Sequence, residues 1–145
     1  MPKINHTVEV PVSRNELFQI STDFENLPNV LPSFKSVKII LKEGNTIITE
    51  DEVILMDHLI KQRVKHILTE PVKHTAEILS GEAEGSFIEE SFEETINGTQ
   101  VTINADFKLK GKLKLIGFAV KNKIKFALES TIYEFSDLIE NKQAN

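Results

Sequence analysis

The stretch LIKQRVKHIL, residues 59–68, alternates so that Ile60, Gln62, Val64, His66 and Leu68 share one side of a strand and Lys61, Arg63 and Lys65 the other. Gln62 and His66 therefore stand among aliphatic residues on the side that the chain must bury. A mostly apolar wall with a few placed polar groups is the make-up of a small-molecule pocket, and a neutral His66 there can orient a carbonyl or a hydroxyl. The same histidine also fits a core position satisfied by a neighbouring strand. The next segment, KHTAEILS, puts His74, Ala76 and Ile78 on one face, and SFIEESFEETI puts Glu90 beside Ile88 and Phe92. A buried carboxyl must be paired or protonated, and a raised pKa is what turns one into a general acid. A one-residue shift of register would turn Glu89 inward instead, and most of the glutamates in this strand must belong to a solvated face. His66 and Glu90 are thus the candidates for acid–base chemistry. Neither has an orienting partner recognisable from spacing, so binding is expected before catalysis.

Other chemistries find less support. His6, His58, His66 and His74 form no close pair of the H-x-x-x-H kind, and a metal site would need convergence across strands, for example of His66 with His74. No phosphate-binding glycine loop, G-x-S-x-G elbow or zinc motif occurs. With no cysteine, the chain has no disulfide, thiolate ligand or thiol nucleophile. No metal or cofactor is expected. A net charge of −5 argues against general nucleic-acid binding, although the charge is unevenly spread. Lys108, Lys110, Lys112, Lys114, Lys121, Lys123 and Lys125 follow one another with no acid between them, beside Leu115, Ile116 and Phe118. This basic patch suits transient contact with an anionic membrane surface or an acidic protein, or else is the solvent side of an amphipathic helix.

The elements that must position these residues can be read from period and punctuation. A length of 145 residues fits one domain, 1–145, and 40% hydrophobic with 27% charged residues is ordinary for a soluble fold. Neither a signal peptide nor a membrane span is expected, which places the chain in the cytoplasm. Residues 4–12 read as a first strand. Ser13 and Glu16 make a capping box, with Val12 and Leu17 as a hydrophobic staple, so a helix starts at a defined angle. Asp23 offers a second N-cap and Pro28 prevents one long helix, so two short ones follow. Six strands then run from Phe34 to Leu109, with Val37, Ile39 and Leu41 sharing a face of the first, and Gly44-Asn45 and Asn97-Gly98 as hairpin turns. Beyond Gly111 the period changes: Leu113, Ile116, Val120, Ile124, Ala127, Thr131, Phe135 and Leu138 mark one side of a helix of roughly 30 residues, ~45 Å long. Residues 142–145 read as a frayed tail.

Three stretches carry a family likeness: VEVPVSRNELFQISTDFENLPNVLPSFKSVKI, GSFIEESFEETINGTQVTI, and the amphipathic segment after KGKL. Together they resemble the helix-grip superfamily of birch-pollen-type allergens, START lipid-transfer domains, polyketide cyclases and coenzyme Q-binding proteins. The resemblance implies an α+β helix-grip fold: a seven-stranded antiparallel sheet around a long C-terminal helix, with two short helices closing one end of a cavity. It implies a small hydrophobic partner, such as a lipid, isoprenoid quinone or polyketide-like molecule, bound by Leu31, Gln62, Val64, His66, Ile78, Phe92, Phe107, Ile116 and Val120. A cyclase or dehydratase using His66 or Glu90, and an interaction subunit docking on a larger assembly, are the alternatives among such relatives. Motifs of this kind specify a fold far better than a substrate.

Overall fold

A computed structural model describes residues 3–55, 57–115 and 117–144, with the backbone alone for 117–120, 143 and 144. The first strand, β1 (Lys3–Val10), gives way to α1 (Arg14–Ser21), whose first turn is capped as its residues dictate: the Ser13 hydroxyl accepts the Glu16 N–H at 3.3 Å. Val12, Leu17 and Phe18 are buried beneath it. The helix closes at Thr22, whose N–H and hydroxyl both donate to the Phe18 carbonyl. A 3-10 turn (Phe24–Asn26) and the short α2 (Leu27–Val30) follow, with Pro28 in the first turn of α2, where a missing N–H is tolerated. Asp23 precedes the 3-10 turn without making a side-chain cap bond, so backbone geometry and the burial of Phe24, Leu27 and Leu31 hold the joint between α1 and β2, residues 22–33.

Six further strands build the sheet: β2 (Phe34–Glu43), β3 (Thr46–Leu55), β4 (His58–Thr69), β5 (Lys73–Ile78), β6 (Phe87–Thr95) and β7 (Gly98–Asp106). All pairings are antiparallel, in the order β1-β7-β6-β5-β4-β3-β2, so the first strand closes the meander by pairing with the last. One expectation fails within β2. Leu41 is exposed, because a register shift between Ile39 and Leu41 breaks the two-residue alternation; a bulge of this kind re-aims every later side chain. At the β6–β7 hairpin, Thr99 donates its buried hydroxyl to the Val12 carbonyl at 2.7 Å. Gly98 lies so close to the Val10 carbonyl that an added Cβ would sit 2.1 Å from its oxygen. The Gly-Thr pair thereby pins the hairpin to the start of α1.

The chain is helical again over α3 (Lys112–Leu115) and α4 (Gly117–Ala144); Ile116 lies outside the described residues. α4 continues through Ala144, past the point where a tail is expected. Its buried stripe is Ile124, Ile132, Phe135 and Ile139 with partly buried Leu128, whereas Ala127 and Leu138 are exposed. Two stripes of period three to four share Ile124 and Phe135, and the one carrying the larger aliphatic side chains faces the core, since it removes more apolar area from water. α4 approaches β1 and α1 most closely. A contact of 2.5 Å between His6 Nε2 and Glu129 Oε2 ties it to β1.

Candidate functional site

Strand register assembles the inner-face polar residues into one continuous chain. On β3, Thr49 lies two residues from Asp51 and so on the same face. Thr49 is fully buried, and its Oγ1 lies 3.1 Å from His66 Nε2 on β4. His66 Nδ1 is 2.8 Å from His74 Nε2 on β5, and His74 Nδ1 is 2.9 Å from Glu90 Oε1 on β6. Glu90 faces inward because its Cα partner is His74, while Glu89 pairs across the strands with Thr75 and lies 3.8 Å from the Lys73 ammonium. Four neighbouring strands thus contribute consecutive members of one hydrogen-bonded row. His66 and His74 are only 6% and 8% exposed, and Phe24 from the 3-10 turn stacks on the His66 ring with centroids 3.9 Å apart. The joint after α1 is therefore the lid over this imidazole pair. Its other side, through Asp23, Asn26 and Val30, lines an open groove of about 940 Å³ against Leu138, Ile139 and Lys142 of α4.

The electrostatics follow from burial. Desolvation pushes His66 down to about 3, and a positive His74 beside it acts in the same direction, so its ring is neutral at physiological pH. Asp51, 7% exposed, is pushed up to about 6 by desolvation, against which a hydrogen bond from Thr49 works. Its Oδ1 is buried and accepts no hydrogen bond from the described residues. A neutral His66 has one donor and one acceptor nitrogen, and a carboxylate at Glu90 only accepts, so each bond in the row has a direction set by its neighbours. What the row offers chemically is a pair of aligned imidazoles between two carboxyl groups. The ring nitrogens bond in series, from the Thr49 hydroxyl through His66 and His74 to the Glu90 carboxylate, and among the described residues they do not converge on one point as metal ligands would.

The residues expected to line a pocket fall into two packed groups. Leu31 and Phe92 belong to the cluster under α1 and the joint, with Phe18, Phe24 and Phe135. Val64, Ile78 and Phe107 belong to a second, with Ile60, Leu113 and Ile124. Ile88 and Leu128 touch both. Gln62 is half-buried on the inner face beside Asp51, its Cα partner. Ile116 and the side chain of Val120 lie outside the described residues. In the basic patch Lys108, Lys110, Lys112, Lys114, Lys121 and Lys123 are exposed and Lys125 is half-buried, with Leu115 exposed among them. Lys110 pairs with Glu84 at 3.3 Å.

Thr49, Asp51 and Phe24 are the members of the site that pattern reading misses. Asp51 sits in the acidic run Glu50-Asp51-Glu52, which looks solvated as a block. The signal lay in the alternation of Ile47, Thr49, Asp51 and Val53, which places an acid on an otherwise apolar face.

No protein-family model matches the chain, and no curated protein matches it in sequence. Solved structures do match in shape. A START superfamily protein from Mycobacterium smegmatis superposes with a TM-score of 0.82 at 17% identity, over 97% of this chain and 99% of that one. The ZhuI aromatase/cyclase from Streptomyces sp. R1128 gives 0.75 at 12% identity, covering 97% and 93%. Norcoclaurine synthase from Thalictrum flavum, solved with dopamine and hydroxybenzaldehyde, gives 0.72 at 16% identity, covering 96% and 86%. Identities this low speak to architecture alone, and with the strand order and terminal helix above they establish that the chain has the helix-grip fold.

Proposed function

We propose that the protein binds a small, mainly apolar molecule bearing a carbonyl or hydroxyl, held between the inner face of the sheet and α4. The observation that carries this reading is a set of polar groups, Gln62 and the Asp51 Oδ1 that no described residue bonds, backed by the neutral His66, among Val64, Ile78 and other buried aliphatics beside an aromatic lid. Apolar walls supply most of the affinity of such a site, and one or two polar groups orient the ligand. Similar structures whose names record an aromatase/cyclase and a synthase holding two aromatic molecules agree with an occupant of this class. Leu31, Phe92, Phe107, Ile116 and Val120 complete the wall in this proposal. Native mass spectrometry of freshly purified protein, with extraction of any bound molecule, tests it directly. An environment-sensitive aromatic or fatty probe is expected to bind at a defined stoichiometry and to be displaced in Val64→Trp, where the indole fills the space. No uptake of any probe by the wild type would favour an interaction subunit that docks on a larger assembly.

A second reading, proton-transfer catalysis of the cyclase or dehydratase type, is favoured by one observation: His66 and Glu90 both have orienting partners, joined through His74. The two readings differ in what His66→Gln does. For a binder the amide keeps a hydrogen-bonding group, and affinity is expected to change by about 1 kcal/mol. For an enzyme, turnover falls steeply in His66→Gln and Glu90→Gln while binding persists, and the rate titrates with pH. Affinity and turnover measured side by side on both variants separate them.

A further inference from the structure

The hydrogen-bonded row has two complete arrangements with the same number of protons. In the first, a protonated Asp51 donates to Thr49 Oγ1, Thr49 donates to His66 Nε2, His66 Nδ1–H donates to His74 Nε2, and His74 Nδ1–H donates to a Glu90 carboxylate. In the second, every bond before the last is reversed. Asp51 is then a carboxylate accepting from Thr49, His66 carries its proton on Nε2, and His74 is an imidazolium that donates to both His66 and Glu90. One proton has left Asp51 and one has arrived at His74; Thr49 and His66 each gained one and gave one, and the total charge is unchanged. The contacts of 3.1, 2.8 and 2.9 Å are all within reach for proton transfer, and the hydrogen bond between Thr49 and the Asp51 carboxyl completes the row. We propose that Asp51, Thr49, His66, His74 and Glu90 are a proton relay across four strands, which exchanges a proton at Asp51 Oδ1 with the oxygen of an enolic or phenolic ligand.

Asp51 is the end open to a ligand because its Oδ1 is the atom that the described residues leave without a partner. Its surroundings on the inner face are Thr49 of its own strand, Val37 of β2 and Gln62 of β4, none of them charged, while Glu50, Glu52 and Arg63 belong to the opposite face. His66 is faced by Thr49, His74 and the uncharged ring of Phe24, and His74 by His66, Phe24 and Glu90. Among the described residues that face His74, the carboxylate in direct contact that can settle an imidazolium there is Glu90. A ligand hydroxyl that gives its proton to the Asp51 carboxylate of the second arrangement becomes an oxyanion, with the balancing positive charge resting on His74. The reverse sequence protonates an enolate.

This ligand class rests on the binding reading above, so the test has two arms that fail separately. The first needs no ligand: 15N spectra of histidine-labelled protein, recorded with the 13C carboxyl signal of Asp51 as pH is varied. His66 and His74 are expected to respond in one step together with Asp51, because the end of the row sets the direction of each bond. Thr49→Val removes the hydroxyl at nearly constant volume and should uncouple the histidines while Asp51 still titrates; Thr49→Ser should restore the coupling. Histidine signals that ignore Asp51 in the wild type, or coupling that survives Thr49→Val, would overturn the relay. Should Thr49→Val fail to fold, Thr49→Ala, which also lacks the hydroxyl, decides the same point against Thr49→Ser. The second arm uses 4-nitrophenol, whose phenolate absorbs visible light. Bound to the wild type it is expected to be ionised at a lower pH than when bound to Thr49→Val, at similar affinity. An equal phenolate fraction in both would overturn the exchange at Asp51, and no binding by dialysis would overturn the ligand class and the binding reading while leaving the relay to the first arm.

Discussion

Phe135→Ala is expected to lower the free energy of unfolding by ~3 to 5 kcal/mol, the range for deleting a buried aromatic ring. Phe135 is 3% exposed and belongs to the cluster that joins β1, α1, the joint, β6, β7 and α4. Its neighbours in that cluster come from elements distant in sequence, so they cannot collapse into the space without moving the helix relative to the sheet. The cost is therefore the lost transfer energy plus an unrelaxed cavity. Phe126, 71% exposed on the same helix, supplies the control: Phe126→Ala should stay within about 0.5 kcal/mol of the wild type. Urea unfolding of the three proteins, compared at a common m-value, measures both. Equal small losses would mean that α4 does not grip the sheet through this stripe.

That stripe also shows how far the sequence could be read. Helical period identifies α4, but two stripes sharing Ile124 and Phe135 satisfy it, and only packing selects the one through Ile132 and Ile139. Strand period behaves in the same way. It groups His66 with Gln62 and Val64, and His74 with Ile78, since side chains two apart share a face. It does not say which residue of the next strand stands opposite, and that is what brings His74 to Glu90 rather than to Glu89. His66 and His74 are eight residues apart on different strands, and the connection between β4 and β5 sets their offset; no spacing motif encodes it. Leu41 departs from the alternation because a bulge obeys backbone geometry that a two-residue period cannot express. The fold was legible because capping, turn and period signals all agree along the chain, whereas the polar row depends on register in three successive strand pairs.

Asp51→Asn is expected to stabilise the protein at neutral pH and to leave it unchanged near pH 4, which is the opposite of what removing a paired surface acid does. The folded-state pKa of Asp51 is about 6 against 3.8 for the free group, so the native state holds the proton more tightly. Its stabilising contribution is fully present below 3.8 and is lost as pH rises through 6. The loss amounts to about 3 kcal/mol at pH 7, from 1.36 kcal/mol for each pKa unit. His66 works the other way: lowered to about 3 from 6.5, it contributes stability that is present above 6.5 and lost as pH falls through 3. Between about pH 4 and 6 the unfolded wild type has taken a proton on the histidine and released one from the aspartate, so the two slopes oppose and their sum is nearly flat. Asn at position 51 removes one of them. The variant should therefore gain stability steadily from pH 4 to 6.5, and overtake the wild type by up to about 3 kcal/mol above pH 7. Denaturant unfolding at several pH values reads this as a difference between two proteins, in which the titrating groups outside the row cancel. A difference that is the same at pH 4 and pH 8 would mean that Asp51 is ionised as readily in the fold as in water, and that the inner face is wetter at this point than its burial implies.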